Sequence, residues 1–113
     1  ARIEKGIPDG AAVDVEGGLW SAVYGGSALI RFGSDGQRDR EIRLPVSQPT
    51  CPAFAGAGLD RLYCMSASQR LSAEELAAQP LAGEAFVLRP GTPGVRVARA
   101  AEAVLPRTRE GDA

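Results

Sequence analysis

Glycine and proline break this chain into short pieces. The 14 Gly and 8 Pro of its 113 residues fall at close intervals between apolar runs of four to six residues. Such runs are too short for a helical bundle and suit many short strands joined by tight turns. Strands are expected near Ala11–Val15, Leu19–Tyr24, Ala28–Phe32, Arg40–Leu44, Cys51–Phe54, Arg61–Ser66, Ala85–Arg89 and Val95–Ala98. Glu16-Gly17-Gly18, Gly33-Ser34-Asp35-Gly36 and Gly56-Ala57-Gly58 supply glycine where the chain must reverse. One stretch breaks the pattern. Ser72 with Glu75 three residues later forms a capping box, and Pro80 follows, so a short inserted helix is expected near 72–79.

The eight strands form two similar sets. Pro8 recurs as Pro49, and Leu19-Trp20 recurs as Leu62-Tyr63, so the period is 41 to 43 residues with four strands in each unit. That is the spacing of propeller blades. The fold class is therefore all-β, with two four-stranded antiparallel blades over about 7–48 and 49–98 and a flexible tail over 99–113. Two blades do not close a propeller and would leave two apolar faces open. A small β-sandwich is the second architecture that eight strands allow. Trp20 and Tyr63 hold equivalent places and are assigned to the core.

Charge and composition narrow the function. Thirteen Lys and Arg against 14 Asp and Glu leave a net charge of −1, so there is no basic field to attract nucleic acid or anionic lipid. No apolar run approaches the roughly 20 residues of a membrane span, and no segment resembles a signal peptide. A soluble, cytoplasmic chain is the expectation. The absence of His removes Ser/His/Asp and Cys/His nucleophilic schemes and, with only two Cys, a conventional structural zinc site. A hairpin centred near Ala57-Gly58 sets Cys51 opposite Cys64, and two adjacent reduced thiols are expected.

Pro8-Asp9-Gly10-x-Ala12-Val13-Asp14-x-Glu16-Gly17-x-Leu19-Trp20-x-Ala22, followed by Ile30-Arg31-Phe32, Leu44-Pro45, Pro49-Thr50-Cys51-Pro52-Ala53-Phe54 and Leu62-Tyr63, resembles the C-terminal third of the regucalcin/gluconolactonase family. The run Leu71 to Gly83 is similar to that family's last inter-strand loop. The resemblance implies a six-bladed propeller with one divalent cation, Ca, Zn, Mn or Mg, at its axis, acting on a sugar lactone. It also implies that Asp9 is the one metal ligand present here, with a Glu and an Asn belonging to earlier blades. Asp9 is then ligand first and proton-accepting catalytic residue second. Ala11 stands where many members carry Met, which re-shapes the pocket floor.

Around Asp9, a hairpin turning at Gly17 would set Gly25 across from it, leaving room beside an ion. Thr50 and Cys51 occupy the second unit's counterpart of Asp9 and would line the same channel. Asp14, two residues before the turn, is expected to be solvated or turn-bonded. The chain is expected to be a fragment, inactive alone, that needs the missing blades or self-association, three copies closing a ring, to cover its open faces. The competing expectation is a non-catalytic calcium-binding or interaction module on the same scaffold.

Overall fold

A computed structural model describes residues 5–96. Seven strands and one helix follow in order: β1 (Ile7–Val13), β2 (Leu19–Tyr24), β3 (Ala28–Phe32), β4 (Arg38–Arg43), β5 (Pro49–Ala55), β6 (Arg61–Ser66), α1 (Ala73–Ala78) and β7 (Phe86–Leu88). They build two antiparallel sheets, a four-stranded meander β1-β2-β3-β4 and a three-stranded one β5-β6-β7. The expected turns hold: Gly17, Gly36 and Gly56 each take a positive φ at a chain reversal. The capping box also forms, with Glu75 N donating to Ser72 Oγ at 3.0 Å and Ser72 N donating to Glu75 Oε1 at 2.8 Å.

Among the described residues the second sheet has three strands of the four expected. After β7 the chain crosses to the first hairpin instead, where Gly94 makes an isolated bridge with Asp14. Val15 N donates to Pro93 O at 2.9 Å, and Gly94 N donates to Leu59 O at 2.8 Å. Gly94 lies so close to the Phe54 ring that no side chain fits at this position. Residues 97 and 98 of the expected strand, and the tail 99–113, lie outside the described residues.

The sheets pack through one face each. Trp20, Ala22, Leu29, Leu44 and Val46 from the first half meet Leu62 and Cys64 from the second, with Phe54, Phe86 and Leu88 at the margin. Side chains alternate between faces along a strand, so Leu62 pointing at the first sheet sends Tyr63 away from it. Tyr63 is only half-buried, unlike its counterpart Trp20, and Met65 and Val87 on the same outer face are 41% and 53% exposed. Among the described residues no third sheet covers this face, so Tyr63 lies outside the core to which the sequence assigned it. The far face of the first sheet differs from expectation as well: Val23, Ala28, Ile30 and Phe32 are buried there. Of the two apolar faces, one is open.

Candidate functional site

All seven strands bring one set of ends together: the starts of β1, β3, β5 and β7 and the ends of β2, β4 and β6. The Pro8-Asp9-Gly10 turn of the sequence is part of β1 at this end. Ile7 pairs with Tyr24 and Pro8 with Val23, but Ala11 pairs with Ser21, so Asp9 and Gly10 together oppose one residue as a β-bulge. The same irregularity recurs in β5 between Pro49 and Cys51. The sequence repeat is thus a repeat of strand geometry, with the bulge in each unit just after its proline.

The strand registers also correct two cross-strand assignments. Gly25 does not face Asp9. It lies against Gly6, its N–H donating to Ser47 O at 2.7 Å, because the hairpin is centred on Glu16 rather than Gly17 and the bulge in β1 shifts the pairing by one residue more. Cys51 pairs with Met65 and Cys64 with Pro52, one position away from the expected facing pair. Cys51 is exposed and Cys64 is buried, and both are free thiols. Burial, with a smaller contribution from nearby Cys51, pushes the Cys64 thiol up to about 11.

Asp9 is exposed, and no described residue forms a hydrogen bond or ion pair with its carboxylate. Gly10, next to it, touches β5: a Cβ there would sit 2.8 Å from Cys51 Sγ and 2.9 Å from Cys51 Cα. The two bulged strands therefore run in contact beside Asp9, with Thr50 half-buried at the same level. Immediately beyond, β1 (Ala11 to Val13) and β5 (Pro52 to Phe54) frame a cleft of about 770 Å³ that Leu59, Val95 and Arg96 also line. Ala11, singled out in the sequence, stands at its Asp9 end.

A hard divalent cation takes six to eight oxygens. An exposed, uncommitted carboxylate fits as one of them, but no group of three or more His, Cys, Asp or Glu side chains converges among the described residues. These residues offer one ligand and do not enclose an ion.

Two further features escaped the sequence. The loop carrying α1 is braced to the β4–β5 connection: Ser47 N and Ser47 Oγ donate to Gln79 Oε1 at 2.8 and 3.1 Å, and Gln48 Nε2 donates to Ala67 O and Gln69 O at 3.2 and 3.1 Å. Glutamine carries no positional signal that would have announced this. The second is Asp14, which is turn-bonded as expected but buried rather than solvated. It accepts from the N–H groups of Glu16 and Gly18, from Trp20 Nε1 and from the Arg31 guanidinium. It anchors the hairpin end remote from Asp9.

Stacked antiparallel sheets, repeated in sequence with a bulge at the start of each first strand and an exposed carboxylate on one bulge, define an all-β repeat protein with its candidate chemistry at one end. The chain belongs to the SMP-30/gluconolactonase/LRE-like family, whose profile matches residues 1–68. It is 47% identical over 94 residues to the 6-deoxy-6-sulfogluconolactonase of Pseudomonas putida, covering 83% of this chain and 32% of that protein. To the L-arabinolactonase of Azospirillum brasilense it is 44% identical, covering 83% and 31%. The solved structure of regucalcin from Agrobacterium tumefaciens, described as calcium-binding, superposes with a TM-score of 0.73 at 36% identity, over 81% of this chain and 30% of that one. The chain spans about a third of the length of the curated relatives it matches.

Proposed function

We propose that this chain supplies the Asp9 carboxylate to the cation site of a metal-dependent sugar-lactone hydrolase, in which its two sheets are neighbouring blades of a six-bladed propeller. The observation that carries this reading is Asp9 itself, an exposed carboxylate on a bulge at the contact line of β1 and β5, with no described partner of its own. Bulges re-aim side chains and are over-represented beside active sites. The lactonase names of two relatives support the reaction class, and the calcium-binding description of the Agrobacterium regucalcin supports a divalent cation.

The stacking of the sheets supports the architecture. Trp20 and Tyr63 point in the same direction in successive sheets, so the second sheet presents to solvent the face that the first sheet buries against it. A further sheet of the same kind would cover Tyr63, Met65 and Val87.

A divalent cation in such a site polarises a carbonyl and acidifies bound water. The chain's own share is narrower. Asp9 holds one position of the coordination sphere and can take a proton, and Gly10 lets β5 approach without obstruction. Because these residues offer a single ligand, the 113-residue chain alone is proposed to be inactive.

The test is a hybrid in which all 113 residues replace the matching third of the Pseudomonas relative, assayed for gluconolactone hydrolysis with added Mn²⁺ or Ca²⁺. Activity in the hybrid is expected to fall by about 100-fold or more in Asp9→Asn, equivalent to about 2.7 kcal/mol of transition-state stabilisation. A hybrid whose turnover ignores Asp9→Asn overturns the proposal.

A further inference from the structure

The connection between β6 and β7, residues 67–85, is the longest at the Asp9 end, where β2 joins β3 through 25–27 and β4 joins β5 through 44–48. Binding residues are disproportionately carried on loops that a rigid scaffold holds in place. This loop is held at its root. Ser66 Oγ donates to Glu84 O at 2.6 Å and accepts from Gly83 N at 3.1 Å, which closes the two ends of the loop on each other. Ala67 N donates to Gln48 O at 3.0 Å, and the buried Gln48 side chain gives its amide hydrogens to the carbonyls of Ala67 and Gln69.

Arg70 comes next. Its φ is +64°, a left-handed conformation that glycine takes freely and a long side chain takes at a steric cost. Non-glycine residues in this region persist where the surroundings over-determine them, and they cluster at ligand-binding sites. Here the Gln48 amide fixes the carbonyl that enters Arg70, and the Ser72–Glu75 capping box fixes the chain two residues later. Arg31, Arg40, Arg43 and Arg89 each meet a carboxylate or a carbonyl. Arg70 is exposed, and no described residue forms a hydrogen bond or ion pair with it. Gln48 stands two residues before Thr50, so Arg70 is anchored at the start of β5 as Asp9 is at the start of β1, and those strands touch at Gly10 and Cys51.

A guanidinium carries five N–H donors and no acceptor, and its strongest partner is an oxyanion taken by two donors at once. A neutral ring hydroxyl offers it less. We propose, on the basis of the reading of Asp9 given above, that Arg70 is a substrate-binding residue of this site and that it selects sugar lactones carrying an anionic group away from the ring carbonyl. The carbonyl end lies beside Asp9 and the anionic end at the 67–85 loop.

D-Glucaro-1,4-lactone, whose free carboxyl group is ionised at neutral pH, is the probe, with gluconolactone as the neutral comparison. In the hybrid enzyme, Arg70→Gly is expected to lower kcat/KM for glucarolactone about tenfold relative to gluconolactone, chiefly through KM. Arg70→Lys should lose less, because the charge stays while the paired donors go. The urea midpoint of the 113-residue chain should not fall in Arg70→Gly, since glycine relieves the backbone. A kcat/KM ratio unmoved by Arg70→Gly overturns the inference. Should the hybrid hydrolyse neither lactone, calorimetry with glucarolactone decides the point: binding about tenfold weaker in Arg70→Gly upholds the inference, and binding absent or unmoved overturns it. A hybrid that discriminates through Arg70 yet ignores Asp9→Asn upholds Arg70 and sinks the reading of Asp9. The reverse pattern keeps Asp9 and removes Arg70.

Discussion

Arg31 grips Asp14 with two nitrogens, Nε at 2.8 Å from Oδ2 and a terminal nitrogen at 3.1 Å from Oδ1. The carboxylate is fully buried and the guanidinium nearly so, and Asp39 takes the other terminal nitrogen at 2.6 Å. Trp20 Nε1 shares the same Asp14 oxygen at 2.9 Å, so β2 and β3 are both tied to the turn that ends β1. The fork passes directly over Gly18, where any Cβ would strike it.

Breaking this pair from one side leaves the other charge buried and unmatched. Arg31→Met is expected to cost about 3–5 kcal/mol, enough to remove most of the stability of a domain this size. The double variant Asp14→Leu/Arg31→Met should cost less than the two single changes together. Urea unfolding of the four proteins measures the coupling, and strict additivity would show that the pair does not act as a unit.

Acid should attack the same point. Burial alone would raise the Asp14 carboxyl, but hydrogen bonds from Arg31, Gly18 N–H, Trp20 and Glu16 N–H outweigh it and lower the group from 3.8 to about 2. A group lowered on folding adds stability that is complete above its ordinary value and disappears as pH falls through the folded one. The expected loss is about 2 kcal/mol between roughly pH 4 and pH 2. Urea midpoints followed across that range should fall in the parent and, in Asp14→Asn, start lower and show that much less fall.

Contact between the two bulged strands predicts the outcome at Gly10. In Gly10→Ala the new Cβ meets the Cys51 backbone and not only its movable sulfur, so β1 and β5 must part. A loss of about 1–3 kcal/mol is expected, against a much smaller effect at Gly58, where the added carbon meets nothing within 4 Å. Equal effects of the two substitutions in thermal unfolding would contradict the close packing of the strands.

Thiol chemistry reports on the same strands. Cys51 is exposed, while Cys64 is buried and pushed up to about 11. At pH 8 a disulfide reagent is expected to modify one thiol per chain rapidly and the second only as the chain unfolds. Cys51→Ser should abolish the fast phase and keep the slow one. Two equally fast thiols would mean that the second sheet opens readily.

Much of this architecture is written locally. A glycine at a chain reversal needs no distant partner to act, and the Ser72 and Glu75 capping box lies within four residues, so the turns and α1 were both legible. The 41-to-43-residue recurrence of Pro8 at Pro49 and of Leu19-Trp20 at Leu62-Tyr63 likewise marks out two sheets. Asp9 stands out through a family motif, and its carboxylate is exposed with no partner among the described residues.

What failed to read from the chain depended on single-residue shifts and on neighbours distant in sequence. The first hairpin is centred on Glu16 rather than Gly17, and the β1 bulge adds one further shift, so Gly25 meets Gly6 and not Asp9; the second is centred on Gly58, which sets Cys51 against Met65, and no local preference signals such small offsets. Tyr63 has the sequence context of Trp20 but not its burial, because burial is conferred by the sheet that stacks on top, and among the described residues only the first sheet has one. Asp14 looked like any acidic residue before a turn until Arg31, 17 residues later, folded over it. Spacing and turn chemistry, carried by nearest neighbours, therefore determined the strands and the repeat; register, burial and the charge state of Asp14 were decided only where strands remote in sequence meet.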